Sequence, residues 1–176
     1  MAAATVFSAP EKDEYNEYYH NYIAMVDAKD FLDVFTKQPQ QLRDVLGSLS
    51  AGEDSKLHEP YTWTLKQVLG HLLDTERIFS TRMMRIAIGD QAEQPGMDQN
   101  VYVDNLDYET VSMTDLLDEF EGIRRANVLL VKRIPAEQFA NRGVASESEI
   151  SARACLFILA GHVKYHLEII HKRLGS

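Results

Sequence analysis

Cysteine is nearly absent from this chain of 176 residues, with Cys155 its only copy. A disulfide within the chain is thereby excluded, and so is a zinc site built on thiolates. Long apolar runs are missing as well. The strongest, Ala154 to Gly161, is far too short to span a bilayer. Positive charge is in deficit: 18 Lys and Arg stand against 27 Asp and Glu, a formal charge of −9. Nucleic acid and anionic membranes reward clustered cations, so neither is an expected partner. Small molecules or a second copy of the chain remain. The first ten residues have no basic leader and no long apolar stretch, do not read as a signal peptide, and leave a cytoplasmic location as the expectation. No Gly-rich phosphate loop, GxSxG elbow or carboxylate pair is found. HExxH is absent too, because Val163, Lys164 and Tyr165 follow His162, which argues against a zincin-type protease.

What is present is helical periodicity. Nearly every long segment repeats apolar residues every three to four positions, and no convincing alternating strand is found. Residues 1–14 are expected to be a flexible arm, and 15–176 a single domain. A short helix is expected over Tyr15–Val26 and a long one from about Asp30 to Leu49, with Pro39 inside it as a kink or break. Ala51–Ser55 reads as a loop. Thr62 or Thr64 can cap the next helix, and Thr64-Leu-Lys-Gln67 fits a capping box. That helix stops at Gly89-Asp90. A third begins near Ser112 and ends before Pro135, and a fourth runs from about Ser151 to Lys172-Arg173-Leu174-Gly175. The expected fold is all-α, a four-helix bundle. Residues 89–111 are long for a bundle connection and read either as a lid or as a plain surface connection with one helical turn.

Three of the six histidines fall on apolar helix faces. His162 and His166 lie about 40° apart on one stripe of the last helix, with Ile158, Leu159 and Ile169, whereas His171 lies on the opposite side and is expected to face solvent. His71 sits mid-helix in Val68-Leu-Gly-His-Leu-Leu-Asp74. An i, i+4 pair can grip one metal ion; the alternative is a set of core histidines, each with its own hydrogen-bond partner. Gly70-His71 and Gly161-His162 share a Gly-His step. Glycine within a helix costs about 1 kcal/mol against alanine, so a reason is expected, and close approach of two helices bearing imidazoles is one. Asp74, one turn after His71, is a candidate to orient a ring or to accept a proton; the plainer reading is a salt bridge. Glu76 is expected to pair with arginines and Cys155 to be small core filling. Tyr165 and Tyr102 read as bundle filling within reach of a pocket, Trp63 as an anchor for the helix end, and His20 and His58 as surface residues.

Trp63-Thr-Leu-Lys-Gln-Val-Leu-Gly-His-Leu-Leu-Asp-Thr-Glu-Arg-Ile-Phe79 resembles the second helix of the DinB-like (DinB/YfiT) metalloenzymes. Ala160-Gly-His-Val-Lys-Tyr-His166 resembles their C-terminal HxxxH helix, and Arg85–Asp90 with Pro95–Tyr102 resemble the segment between. The similarity runs from about Tyr15 onward. It implies an up-down-down-up four-helix bundle and a divalent metal held by His71, His162 and His166. Relatives are often dimers, and a few use low-molecular-weight thiols in transfer or isomerisation.

Three imidazoles would leave a divalent ion open to water or substrate, and nitrogen ligation suits zinc, nickel or iron alike. The expected function is therefore a metal-dependent hydrolase or thiol-dependent transferase acting on a small molecule. A non-catalytic metal-binding bundle with a structural or stress-related role is the alternative, and a haem-binding bundle a more distant one.

Overall fold

A computed structural model describes residues 7–50 and 52–175. Residues 1–6 of the expected arm, and Ala51 at the start of the expected loop, lie outside the described residues. The rest of the arm is not loose. Phe7 is buried with its ring edge-on to Phe31 and Phe139, at 5.1 Å from each. Glu14 is buried against Arg153 and the Ser151 hydroxyl. Burying one such aromatic is worth about 1.5–3 kcal/mol, enough to hold a short segment down.

Four long helices form the bundle: α2 (Phe31–Leu46), α3 (Leu65–Ala87), α5 (Met113–Val131) and α6 (Ala152–Leu174). Short helices α1 (His20–Ala24) and α4 (Gln99–Asn105) lie outside it. Polar caps set the starts. The Thr64 hydroxyl accepts from the Gln67 amide at 3.1 Å while the Gln67 side chain accepts from the Thr64 amide at 3.0 Å. The Ser112 and Ser151 hydroxyls cap α5 and α6 by accepting from the Asp115 and Ala154 amides, and Gly175, with φ of +70°, closes α6 in the left-handed region.

Two apolar clusters reveal the helix directions. One joins the start of α2 (Phe31, Phe35), the end of α3 (Phe79, Met83, Ile86), the end of α5 (Val131) and the first half of α6. The other joins the end of α2 (Leu42, Leu46), the start of α3 (Leu65, Leu69), the start of α5 (Leu116, Phe120) and the second half of α6. So α3 and α5 run parallel, α2 and α6 run parallel, and the two pairs oppose each other: up-down-down-up. Helix α3 packs against α5 and α6, and α2 packs against the same two. Parallel neighbours cannot be joined by a tight turn. The chain between α3 and α5 must return about 30 Å along the bundle, which accounts for the length of the segment around 89–111.

Strands are a correction to the sequence reading. β1 (Arg142–Ala145) and β2 (Ser148–Ser151) pair antiparallel, with Val144 opposite Glu149. Four residues each are too few for alternation to register, and the two-residue turn Ser146-Glu147 has positive φ (53° and 62°) without the glycine or asparagine that usually marks it.

Candidate metal centre

His71 comes from the first half of α3, and His162 and His166 from successive turns of α6. All three rings are buried. Their Nε2 atoms converge: His71 lies 3.0 Å and His166 3.1 Å from Nε2 of His162, and the three ligand atoms fall within 4.8 Å of one another. Two nitrogens on a common ion at about 2.1 Å, separated by roughly 90–110°, are about 3.0–3.4 Å apart. The spacing around His162 fits that range.

Hydrogen bonding alone satisfies the cluster poorly. One Nε2 can donate or accept a single ring hydrogen bond, yet that of His162 faces two neighbours. Nδ1 of both His71 and His166 is buried with no protein partner. Burial also drives the rings toward neutrality. It lowers His71 to about 4 and, with the neighbouring His71 ring, His166 to about 3; it pushes His162 well below its usual value, helped by both neighbours. Neutral rings with converging ring nitrogens are the form that ligates a cation.

A family model described as the DinB superfamily matches residues 34–170. The chain belongs to the DinB superfamily. No curated protein matches it. Among solved structures it is similar to YfiT from Bacillus subtilis, described as "a probable metal-dependent hydrolase with an unusual four-helix bundle topology". The likeness covers 94% of this chain and 93% of that one, at 16% identity and a TM-score of 0.73.

In this DinB-superfamily chain the two glycines serve a purpose other than the expected one. They do not bring α3 and α6 together; each admits a covering segment. A methyl group at Gly161 would fall on the Tyr22 carbonyl of α1, and one at Gly70 on the ring of Tyr108. The coverings reach the centre directly. Tyr22 stands edge-on to the His162 ring at 5.2 Å. Trp63, expected only to anchor a helix end, tilts over His71 at 5.2 Å. Tyr165 is edge-on to His166 at 5.3 Å.

Asp74 takes the plainer of its two expected roles, an ion pair, and adds a tyrosine partner. Its carboxylate accepts from the Tyr108 hydroxyl and lies 3.6 Å from Arg77; among the described residues, none of the three rings bonds to it. Burial raises its pKa. Glu76 pairs with an arginine, as expected, and the partner is Arg124 of α5. Cys155 is fully buried and its thiol is pushed up to about 12 by burial, so it is core. His58 is largely buried between Glu53 (2.9 Å) and Arg173 (3.1 Å), not on the surface. His20 is exposed and contacts the Tyr15 hydroxyl at 3.2 Å. Tyr102 lines a neighbouring groove with Arg77 and Arg85.

A cleft of about 80 Å³ opens onto His71 and His162. Its walls come from α3 (Thr75, Phe79, Arg82), from the α3–α5 crossover (Met97, Gln99), from the hairpin turn (Ser146) and from Tyr18, Tyr19 and Tyr22. Sequence reasoning missed Arg82. The signal for it exists: Arg82 follows His71 by eleven residues, three helical turns, and so shares its face.

Proposed function

We infer that this chain is a metal-dependent hydrolase acting on a small molecule in the cleft beside His71 and His162. The observation that carries the reading is the convergence of three buried, neutral imidazoles whose Nε2 atoms lie at ligand spacing. His71, His162 and His166 would hold one divalent ion, and the all-nitrogen donor set suits zinc, nickel or iron. Such an ion supplies Lewis acidity, which activates water and polarises a carbonyl.

The chain's own residues do the rest. Tyr22, Trp63 and Tyr165 pack against the three rings and hold their orientations, so the donor set is in place before any ligand arrives. Thr75 donates its hydroxyl to the His71 carbonyl at 2.8 Å, one turn along the same face. The tyrosines, Phe79 and Met97 narrow the cleft to a small substrate and limit its water. The description of YfiT as a probable metal-dependent hydrolase agrees with this reading.

The test is turnover of a panel of small esters and amides by protein purified without a histidine tag and loaded with zinc or nickel. Activity should fall on the order of 100-fold or more on chelation and in His162→Ala, and return when the wild-type protein is reloaded. Activity that survives metal removal contradicts the reading. Turnover only in the presence of an added low-molecular-weight thiol would assign group transfer in place of hydrolysis. Unfolding on chelation, with no turnover of any substrate, would support the non-catalytic bundle.

A further inference from the structure

Arg82 is 3% exposed and carries a fixed positive charge into the cleft that holds His71 and His162. The chain's other deeply buried arginine, Arg124, is neutralised by Glu76. Arg82 is not neutralised. Among the described residues no carboxylate pairs with it, and its hydrogen bonds go to neutral oxygens: the Pro95 carbonyl at 2.5 Å, the Ser146 hydroxyl at 3.3 Å and the hydroxyl of Tyr19 on the same cleft wall. The Phe79 ring lies 4.8 Å from its guanidinium carbon, a contact that offsets only part of the desolvation of a cation. No Asp or Glu lines the cleft, although the chain as a whole carries a net charge of −9. The cleft is thus a cationic spot in an acidic molecule.

A second, independent feature lies beside it. Ser146 has a φ of +53°, a left-handed conformation that L residues adopt at a cost, and its neighbour Glu147 has a φ of +62°. The turn is held there by the crossover: Gln94 donates to the Val144 carbonyl at 2.9 Å, and Ser146 donates to the Gln94 carbonyl at 3.1 Å. The result places the Ser146 hydroxyl at Arg82 on the cleft wall. Backbone strain held next to an uncompensated cation is the pattern of a binding site.

We propose that Arg82 and Ser146 form an oxyanion subsite, so that the substrates are small molecules carrying a carboxylate or phosphate besides the bond that is broken. The guanidinium fork suits either group. Arg82 lies about 16 Å along the α3 axis from His71, with its long side chain leaning back toward the histidines. The anionic group therefore sits at one end of the ligand and the reacting bond at the other. This assignment rests on the hydrolase reading for the second half of that sentence only; the subsite itself can be tested without a metal.

The experiment is an NMR titration of inorganic phosphate and, separately, of succinate into ¹⁵N-labelled protein at constant ionic strength. It uses wild type, wild type stripped of metal by a chelator, Arg82→Gln and Arg82→Lys. In wild type the Ser146 amide and the Arg82 Nε–H signals should shift saturably with at least one of the two anions, and the tighter one identifies the group preferred. Binding should weaken at least tenfold in Arg82→Gln and several-fold in Arg82→Lys, which keeps the charge and loses the fork. Wild type stripped of metal by a chelator should bind the anion much as untreated protein does. That outcome separates the two readings: anion binding retained after metal removal supports the subsite whatever becomes of the hydrolase. No saturable shift at Ser146 or Arg82 with either anion overturns the proposal. So does undiminished binding in Arg82→Gln or, should that variant fail to fold, in Arg82→Lys.

Discussion

Burial holds the three rings of the centre neutral, and that makes metal-free protein sensitive to mild acid. In the unfolded chain a histidine takes up its proton near pH 6.5. In the folded chain burial delays uptake to about 4 at His71 and to about 3 at His166. These folded values are depressed, so the stability they contribute is complete above about pH 6.5 and is lost as pH falls toward the folded values. Each ring removes up to about 1.4 kcal/mol per pH unit across that window. Asp74, raised by burial, works in the opposite direction. Urea midpoints of chelator-treated protein should therefore fall between pH 7 and 5, and fall less steeply in His166→Gln; equal slopes would contradict neutral burial of this ring. The position of the histidines was legible because imidazoles on an apolar stripe are conspicuous. Arg82 was not, because an arginine within an amphipathic helix reads as solvated surface until the segments that cover it are known. The glycines were conspicuous as well, but local sequence says only that something approaches closely, not that Tyr22 and Tyr108 do so.

At the scale of elements, the bundle is joined through one buried polar network that begins with a proline. Pro39 lies inside α2 and has no amide hydrogen, so the Phe35 carbonyl four residues earlier lacks its helical donor. Arg124 of α5 supplies one at 3.0 Å, and also donates to Gln38 at 2.6 Å and to Glu76 of α3. Asn127 donates to the other Glu76 oxygen at 2.7 Å, and Gln38 donates to the Ala160 carbonyl of α6 at 2.6 Å. All four bundle helices meet there, and α2 continues through Pro39 without a break. Removing one charge strands the other in the core. Arg124→Met and Glu76→Met should each destabilise by about 3–5 kcal/mol in urea unfolding, while the double variant costs well under the sum. Additive losses would show that the pair is not coupled. Helix ends at Thr64, Ser112 and Ser151 were legible because capping is local chemistry. The destination of Arg124 and the hairpin over 142–151 were not, since both depend on what lies across the bundle.

At the scale of the molecule, the up-down-down-up order has a functional consequence. Parallel α3 and α5 require a long crossover, and that crossover supplies Met97 and Gln99 to the cleft, Tyr108 to Gly70 and Asp74, and Gln94 and Pro95 to the hairpin turn and Arg82. Residues outside the four helices thus roof a centre whose donors all lie within them. The long helices could be read from periodicity, but the roof is assembled from short separate pieces whose destinations no period reveals. Among the described residues no helix is long and apolar enough to cross a membrane. The most direct test of the central claim is equilibrium dialysis against zinc followed by elemental analysis, comparing wild type with His71→Ala, His162→Ala and His166→Ala. Three converging imidazoles predict about one ion per chain in wild type, reduced to a small fraction in each folded variant. A wild type that retains no zinc, or a His71→Ala variant that retains as much as wild type, would contradict it.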